Sequence, residues 1–237
     1  MSKKYKGITC VYCNVRLSDT ADHVFSREFF LPTDRDNHPK VPACSICNQE
    51  KSKLEYYLTT ILPFAGRHLV AKTNLEKMVP NRLANNDKLR KLLSQGMRRI
   101  WVNEKDGLIL PVSSIPLDTH KIEKYFSLVA KGLVWHYWKT LLTSEHFIEV
   151  RFLTKWGEDV FENQFFSIEN VNHVAENLGN GTVVYKGIQE IGIPEMTAWR
   201  LFFYGGMSLL DELDVKESSS SIGLITGPMS IKKGVVA

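Results

Sequence analysis

Apolar positions along the chain follow two rhythms, and the change between them marks out its parts. From Cys44 the rhythm is helical. Leu54, Tyr57, Leu58, Ile61 and Leu62 recur at the spacing of one helix face, and Pro63 is expected to end or kink that helix. Residues 65–98 continue as helix, with breaks near Pro80 and at Asn85-Asn86. Residues 118–142 form the clearest helix: Ile122, Tyr125, Phe126, Val129, Leu133 and Tyr137 share one face, with Trp138 and Leu141 towards its edge.

The second rhythm has a period of two. Ile148 to Phe152 alternates cleanly, and strand-like runs follow at Phe165–Ile168, Thr182–Gly187 and Trp199–Tyr204. Arg99–Asn103 and Leu108–Val112 flank Glu104-Lys105-Asp106-Gly107, and Asp-Gly between two apolar runs predicts a hairpin. Near the start, residues 8–15 predict a knuckle, and residues 19–27 hold a short strand with Asp22, His23, Val24 and Phe25. Residues 31–43 are expected to be loop, because Pro32, Asp34, Asp36, Asn37, Pro39 and Pro42 punctuate them. Residues 216–220 predict a flexible segment with a loosely attached tail beyond it.

These elements predict an α+β fold in four parts: an N-terminal cysteine-bearing module at 1–64, a basic helical connector at 65–105, an α+β module at 106–215, and a flexible tail at 216–237. Hydrophobic residues are 43% and charged residues 24%, the balance of a soluble globular protein. The basic start is followed by no apolar segment, and no run approaches the length of a membrane span, so the expectation is a cytoplasmic chain with no membrane partner. The net charge of +4 is unevenly spread: residues 51–105 carry 12 Lys/Arg against 4 Asp/Glu, whereas residues 106–237 carry 11 against 16. A basic stretch directly after the cysteines is a footprint for a phosphate backbone.

The four cysteines, Cys10, Cys13, Cys44 and Cys47, form two Cys-x2-Cys pairs. In a reducing compartment this pattern predicts a metal knot rather than disulfides, since each two-residue spacer turns both sulfurs to one side. Four thiolates close a tetrahedral shell, which implies structural zinc. Within the intervening loop lies Asp22-His23, and Asn48 follows the last cysteine at the expected start of a helix. Asp22 and Asn48 offer hard oxygen donors of the kind Mg2+ or Mn2+ prefers. His23 has the ordinary pKa range for a general base at neutral pH.

Cys-x2-Cys, then Asp-His-Val, then Cys-x2-Cys-Asn-x2-Lys resembles the HNH (ββα-metal) endonuclease superfamily, and within it the four-cysteine members of the Holliday-junction-resolving endonuclease VII group. The resemblance covers residues 8–55. It implies that residues 1–64 are a zinc-bound HNH module, with Asp22 and Asn48 holding Mg2+ or Mn2+ and His23 activating water for phosphodiester hydrolysis, most naturally in DNA. It also implies 5′-phosphate products. Ser26-Arg27 stands where family members carry a proline, Asn37 is the candidate for the middle Asn of the motif but lies farther from Cys44 than is usual, and the last His has no counterpart, leaving Glu50 and Glu55 as candidates for a third ligand. Arg27 and Lys51 are candidate contacts to the scissile phosphate. Residues 106–215 match no motif and suit a protein partner, self-association or ligand sensing; such appendages accompany nucleases of phage defence and mobile elements. The rival expectation is a non-catalytic zinc module that binds nucleic acid or a protein, and a third is an RNA substrate.

Overall fold

A computed structural model describes residues 3–103, 107–207 and 221–232. The first residues make the expected knuckle, a tight turn in which Thr9 bridges Leu17 and the Cys10 amide donates to the Arg16 carbonyl at 2.8 Å. Asn14 takes φ +57° at its tip, a conformation that asparagine tolerates better than most residues. Strand β1 (Thr20–His23) pairs antiparallel with β2 (Lys40–Ala43), and α1 (Ser45–Ala65) follows directly.

Three short helices come next: α2 (Leu69–Lys77), α3 (Val79–Ala84) and α4 (Asp87–Gly96). The hairpin β3 (Arg98–Asn103) and β4 (Ile109–Ser114) stands after them, its turn residues 104–106 lying outside the described residues. Helix α5 (Thr119–Trp138) opens on an Asp118 cap, whose side chain accepts from the Lys121 amide. The rest is an antiparallel five-stranded sheet in the order β5-β9-β8-β7-β6, built from β5 (His146–Leu153), β6 (Val171–Leu178), β7 (Val183–Glu190), β8 (Thr197–Phe203) and β9 (Ser221–Pro228). Helix α6 (Lys155–Phe161), continued by a π-helical turn (Glu162–Phe166), crosses between β5 and β6. The fold is therefore α+β.

Four expectations are corrected. The loop expected over 31–43 ends in strand β2, because Pro42 sits in a two-stranded ribbon where its carbonyl, accepting from the Val11 amide, is the group that matters. Residues 165–168 begin in a π-helical turn rather than a strand, with Phe165 packed against Phe161. Strand β6 was not expected; it is an edge strand whose polar residues give little alternation. The flexible tail expected over 216–237 is overturned in part. Residues 216–220 lie outside the described residues, but β9 is an interior strand of the sheet, buried from Ser221 to Gly227. Gly223 leaves room for the Phe161 ring; a Cβ there would come within 2.9 Å of it.

One hydrophobic core runs from the cysteine knuckle to the sheet. Phe25 and Phe29 of the first module pack edge-to-face on Phe203 of β8 with ring centroids 5.8 and 5.2 Å apart, and Asn74 of α2 bonds the Tyr204 hydroxyl at 3.0 Å. Helix α5 lies between. Its Gly132 approaches Val24 so closely that a Cβ would sit 2.9 Å from the valine side chain. The end of α1 coincides with the boundary expected near residue 65, yet residues 1–64 close no core of their own. A smaller cluster of Phe147, Leu153, Phe161, Ile188, Ala198 and Ile225 fills the other face of the sheet under α6. No described helix is long and apolar enough to cross a membrane.

Candidate metal centre and active site

The four cysteine sulfurs lie within 4.8 Å of one another. A tetrahedral centre with sulfurs about 2.3 Å from the metal places them about 3.8 Å apart, so the donor set fits a metal such as zinc with little adjustment. Cys10 and Cys44 are buried, and Cys13 and Cys47 half-buried. Cys44 caps α1 and Cys47 lies in its first turn, which brings both sulfurs to the positive end of the helix.

Without a metal the thiols ionise unevenly. Burial pushes the Cys13 thiol up, but hydrogen bonds from the Arg16 and Val15 backbone and from neighbouring cysteines bring it down to about 6. Cys44 is also lowered, burial being outweighed by the Cys47 amide, Cys47, Arg16 and Cys10. Burial raises Cys10 and Cys47. Four thiols this close do not all lose their protons without a cation among them. Two protein cations border the cluster: Arg16, 3.9 Å from the Cys44 sulfur, and half-buried Lys131 of α5, whose ammonium donates to the Tyr12 carbonyl at 2.9 Å and feels the charge of Cys13, Cys47 and Cys10. A divalent metal in four thiolates carries net charge −2, which these two offset.

Beside the cluster, β1 and α1 meet along a polar seam. Thr20 and Asp22 share one face of β1, and Asn48, Lys51 and Glu55 share one face of α1. The Asn48 amide donates to Thr20 Oγ1 at 3.2 Å, and among the described residues no hydrogen bond reaches its oxygen. Asp22, buried, receives the Tyr12 hydroxyl at 2.5 Å and the Lys51 ammonium at 2.9 Å, both on Oδ2. Among the described residues no hydrogen bond reaches its Oδ1. Lys51 is fully buried, and its three N–H groups meet Asp22, the His23 carbonyl at 2.7 Å and Glu55 at 2.5 Å. The expected phosphate contact at Lys51 is thus corrected, since its ammonium is spent inside the protein. Of the two further ligand candidates, Glu50 is exposed and Glu55 is paired to Lys51.

His23 stands on the opposite face of β1 from Asp22, half-buried, with its ring 6.5 Å from that of His38 and opposite Lys40 in the strand register. Burial pushes its imidazole down to about 4, Lys40 and Arg27 reinforcing the shift and Asp22 opposing it. Arg27 is exposed, so Arg27 and Lys40 place positive charge around the imidazole. Asn37 takes φ +56° in the turn before β2. Sequence reasoning missed Tyr12, Lys40 and His38. Tyr12 lies between two metal-spaced cysteines and read as part of the knuckle; Lys40 and His38 lay in a stretch read as loop. Comparison with family models, curated proteins and solved structures finds no match to this chain.

Three histidines gather about β2: His23, His38, whose Nε2 bonds the Asp34 carbonyl, and His136, whose Nδ1 bonds the Lys40 carbonyl. Burial lowers all three. A histidine lowered in the folded state binds protons more readily when unfolded, so its contribution is present above about pH 6.5 and is lost as the pH falls through the folded value, about 4 for His23. Glu55, whose carboxyl burial raises, acts in the opposite sense. Thermal stability is expected to drop between pH 6.5 and 4.5. A melting temperature that stays level over that interval would refute the neutral-histidine cluster.

Proposed function

We propose that the protein is a metal-dependent endonuclease of the HNH type that hydrolyses phosphodiester bonds in DNA. The observation that carries this reading is the seam between β1 and α1. Asn48 reaches Thr20 while Lys51 reaches Asp22, so the oxygens of Asp22 and Asn48 lie along one strand–helix junction. Asp22 and Asn48, two hard oxygen donors beside a cysteine knot, would hold Mg2+ or Mn2+. Such an ion would supply charge stabilisation at the leaving oxygen.

The protein's own groups do the remainder. Tyr12 and Lys51 hold the Asp22 carboxylate by one oxygen and fix the direction of the other. His23, next to Asp22 in the chain and half-exposed, is the group that would take a proton from an attacking water, although its burial makes it a weaker base than a free imidazole, and Arg27 and Lys40 beside it attract the phosphate. Cys10, Cys13, Cys44 and Cys47 would hold zinc, and so fasten the knuckle to the start of α1. These links would hold strand and helix in register.

The test is cleavage of supercoiled plasmid with Mg2+, with Mn2+ and without added divalent ion. His23→Ala is expected to lower the rate by about 10²–10⁴-fold while leaving metal content and melting temperature unchanged. Equal cleavage by wild type and His23→Ala would refute the assignment. The rival reading, a zinc module that binds without cutting, predicts binding and no divalent-dependent turnover by either protein.

A further inference from the structure

The hairpin β3–β4 is a two-stranded ribbon like β1–β2, but where β1–β2 is largely buried it stands exposed. Its strands pair with each other and join neither of the other sheets. A two-stranded hairpin alone is marginal in water. This one also exposes large apolar side chains: Trp101 is 64% exposed and Ile109 63%. Trp101 stands opposite Pro111 in the register, and Arg99, two residues earlier, shares its face.

The hairpin's base is basic. Lys88, Arg90 and Lys91 of α4 and Arg98 and Arg99 of β3 are all exposed. Arg90 pairs with Asp87; among the described residues the other four carry no ion pair. Residues 67–103 hold nine Lys/Arg against two Asp/Glu, so the charge is not locally neutralised. Leu89 and Leu93 fasten α4 to the core, and Pro116 after β4 packs against Gly96. The Tyr57 hydroxyl of α1 accepts from the Asp118 amide at 2.8 Å. The ribbon thus rises from a fixed base on the helix that carries Asn48, nine residues or about 14 Å along its axis.

We propose that β3–β4 is a nucleic-acid-binding arm, with Arg98, Arg99 and the α4 cations on the phosphate backbone and Trp101 against a base. The choice of partner rests on the nuclease reading above. It is favoured by chemistry: a ribbon with cations at its foot and an indole on its face matches a polyanion with stacked rings. A second copy of the chain would set Arg98 and Arg99 against like charge. A two-stranded ribbon also fits a duplex groove, while an exposed indole suits an unpaired base.

The experiment is fluorescence anisotropy of the full chain with a labelled duplex and with its isolated strand, without added Mg2+ or Mn2+, across a salt series. Arg98→Ala/Arg99→Ala is expected to weaken both ligands about tenfold and to lower the slope of log affinity against log salt by about two. Trp101→Ala is expected to weaken the single strand about tenfold with little change in slope. Arg151→Ala, whose guanidinium pairs with Glu149 on the sheet, should bind as wild type does. Wild-type binding by both arm variants, no binding by wild type, or a sedimenting dimer that Trp101→Ala dissociates would each overturn the proposal. The plasmid assay keeps the two readings apart. Arm-dependent binding without His23-dependent cleavage removes the nuclease and keeps the arm; His23-dependent cleavage with arm-independent binding does the reverse.

Discussion

Cys44→Ser is expected to collapse the strand–helix seam, lowering stability by at least 5 kcal/mol, on the order of half the apparent binding free energy of structural zinc. The reason is geometric. Cys10 and Cys13 sit before β1, and Cys44 and Cys47 sit after β2, so one metal would close a loop containing Tyr12, Asp22, His23, Arg27 and Lys40 and ending one residue before Asn48. The hairpin within that loop has only two strands, and such a ribbon has little stability of its own. Loss should not extend to the whole chain at once, because Phe25 and Phe29 remain packed on Phe203 and Val24 on α5. The measurement is metal content per chain together with near-ultraviolet circular dichroism, for wild type, Cys44→Ser and wild type treated with a strong chelator. One tightly held metal per wild-type chain, lost with the aromatic signal in the other two samples, is the expected result. A wild type that purifies without metal and a Cys44→Ser protein that melts at the wild-type temperature would show four ordinary thiols instead.

Lys51→Met should cost about 3–5 kcal/mol, because removing one partner strands buried charges. The substituent keeps the volume of the stem but leaves Asp22 and Glu55 facing each other without a cation between them. The His23 carbonyl loses its donor as well. For a chain of this length the loss corresponds to a fall in melting temperature of about 10 °C. Lys51→Met combined with Glu55→Gln should recover part of it, since one of the two stranded charges is then gone. If the nuclease reading holds, the single variant should also weaken Mn2+ binding, because the Asp22 carboxylate is no longer held by Oδ2. A Lys51→Met protein as stable as wild type would mean that the ammonium is not buried as described. Arg27→Ala, in contrast, removes an exposed charge and should leave stability nearly unchanged.

Much of this molecule could be read from residue spacing. The two Cys-x2-Cys pairs named their own cluster, because chelation is a local property: two residues between sulfurs suffice to bring each pair together. Helices α1 and α5 were legible for the same reason, each apolar face being written into a few turns. Asp22 and Asn48 could be nominated from their types and from their positions beside cysteines.

Long-range partners were not legible. Lys51 looked like a surface cation and lies fully buried, because three acceptors from two elements, one of them 28 residues away in sequence, converge on it. Tyr12 takes its role from the same convergence. Strand β9 read as tail because Gly223 and Gly227 weaken any strand pattern; their value appears only when the Phe161 and Phe147 rings are folded over them. The division into modules was likewise a statement about local pattern. Whether two stretches share a core depends on which apolar faces meet, and Phe25, Phe29 and Val24 meet β8 and α5 rather than closing on themselves. Sequence by itself determined the pairing of the cysteines into a cluster able to hold a metal and the helical periods, which depend on neighbours along the chain. Tertiary structure alone decided which charges are buried, which strands are interior and which hairpin is left exposed, because those depend on neighbours in space.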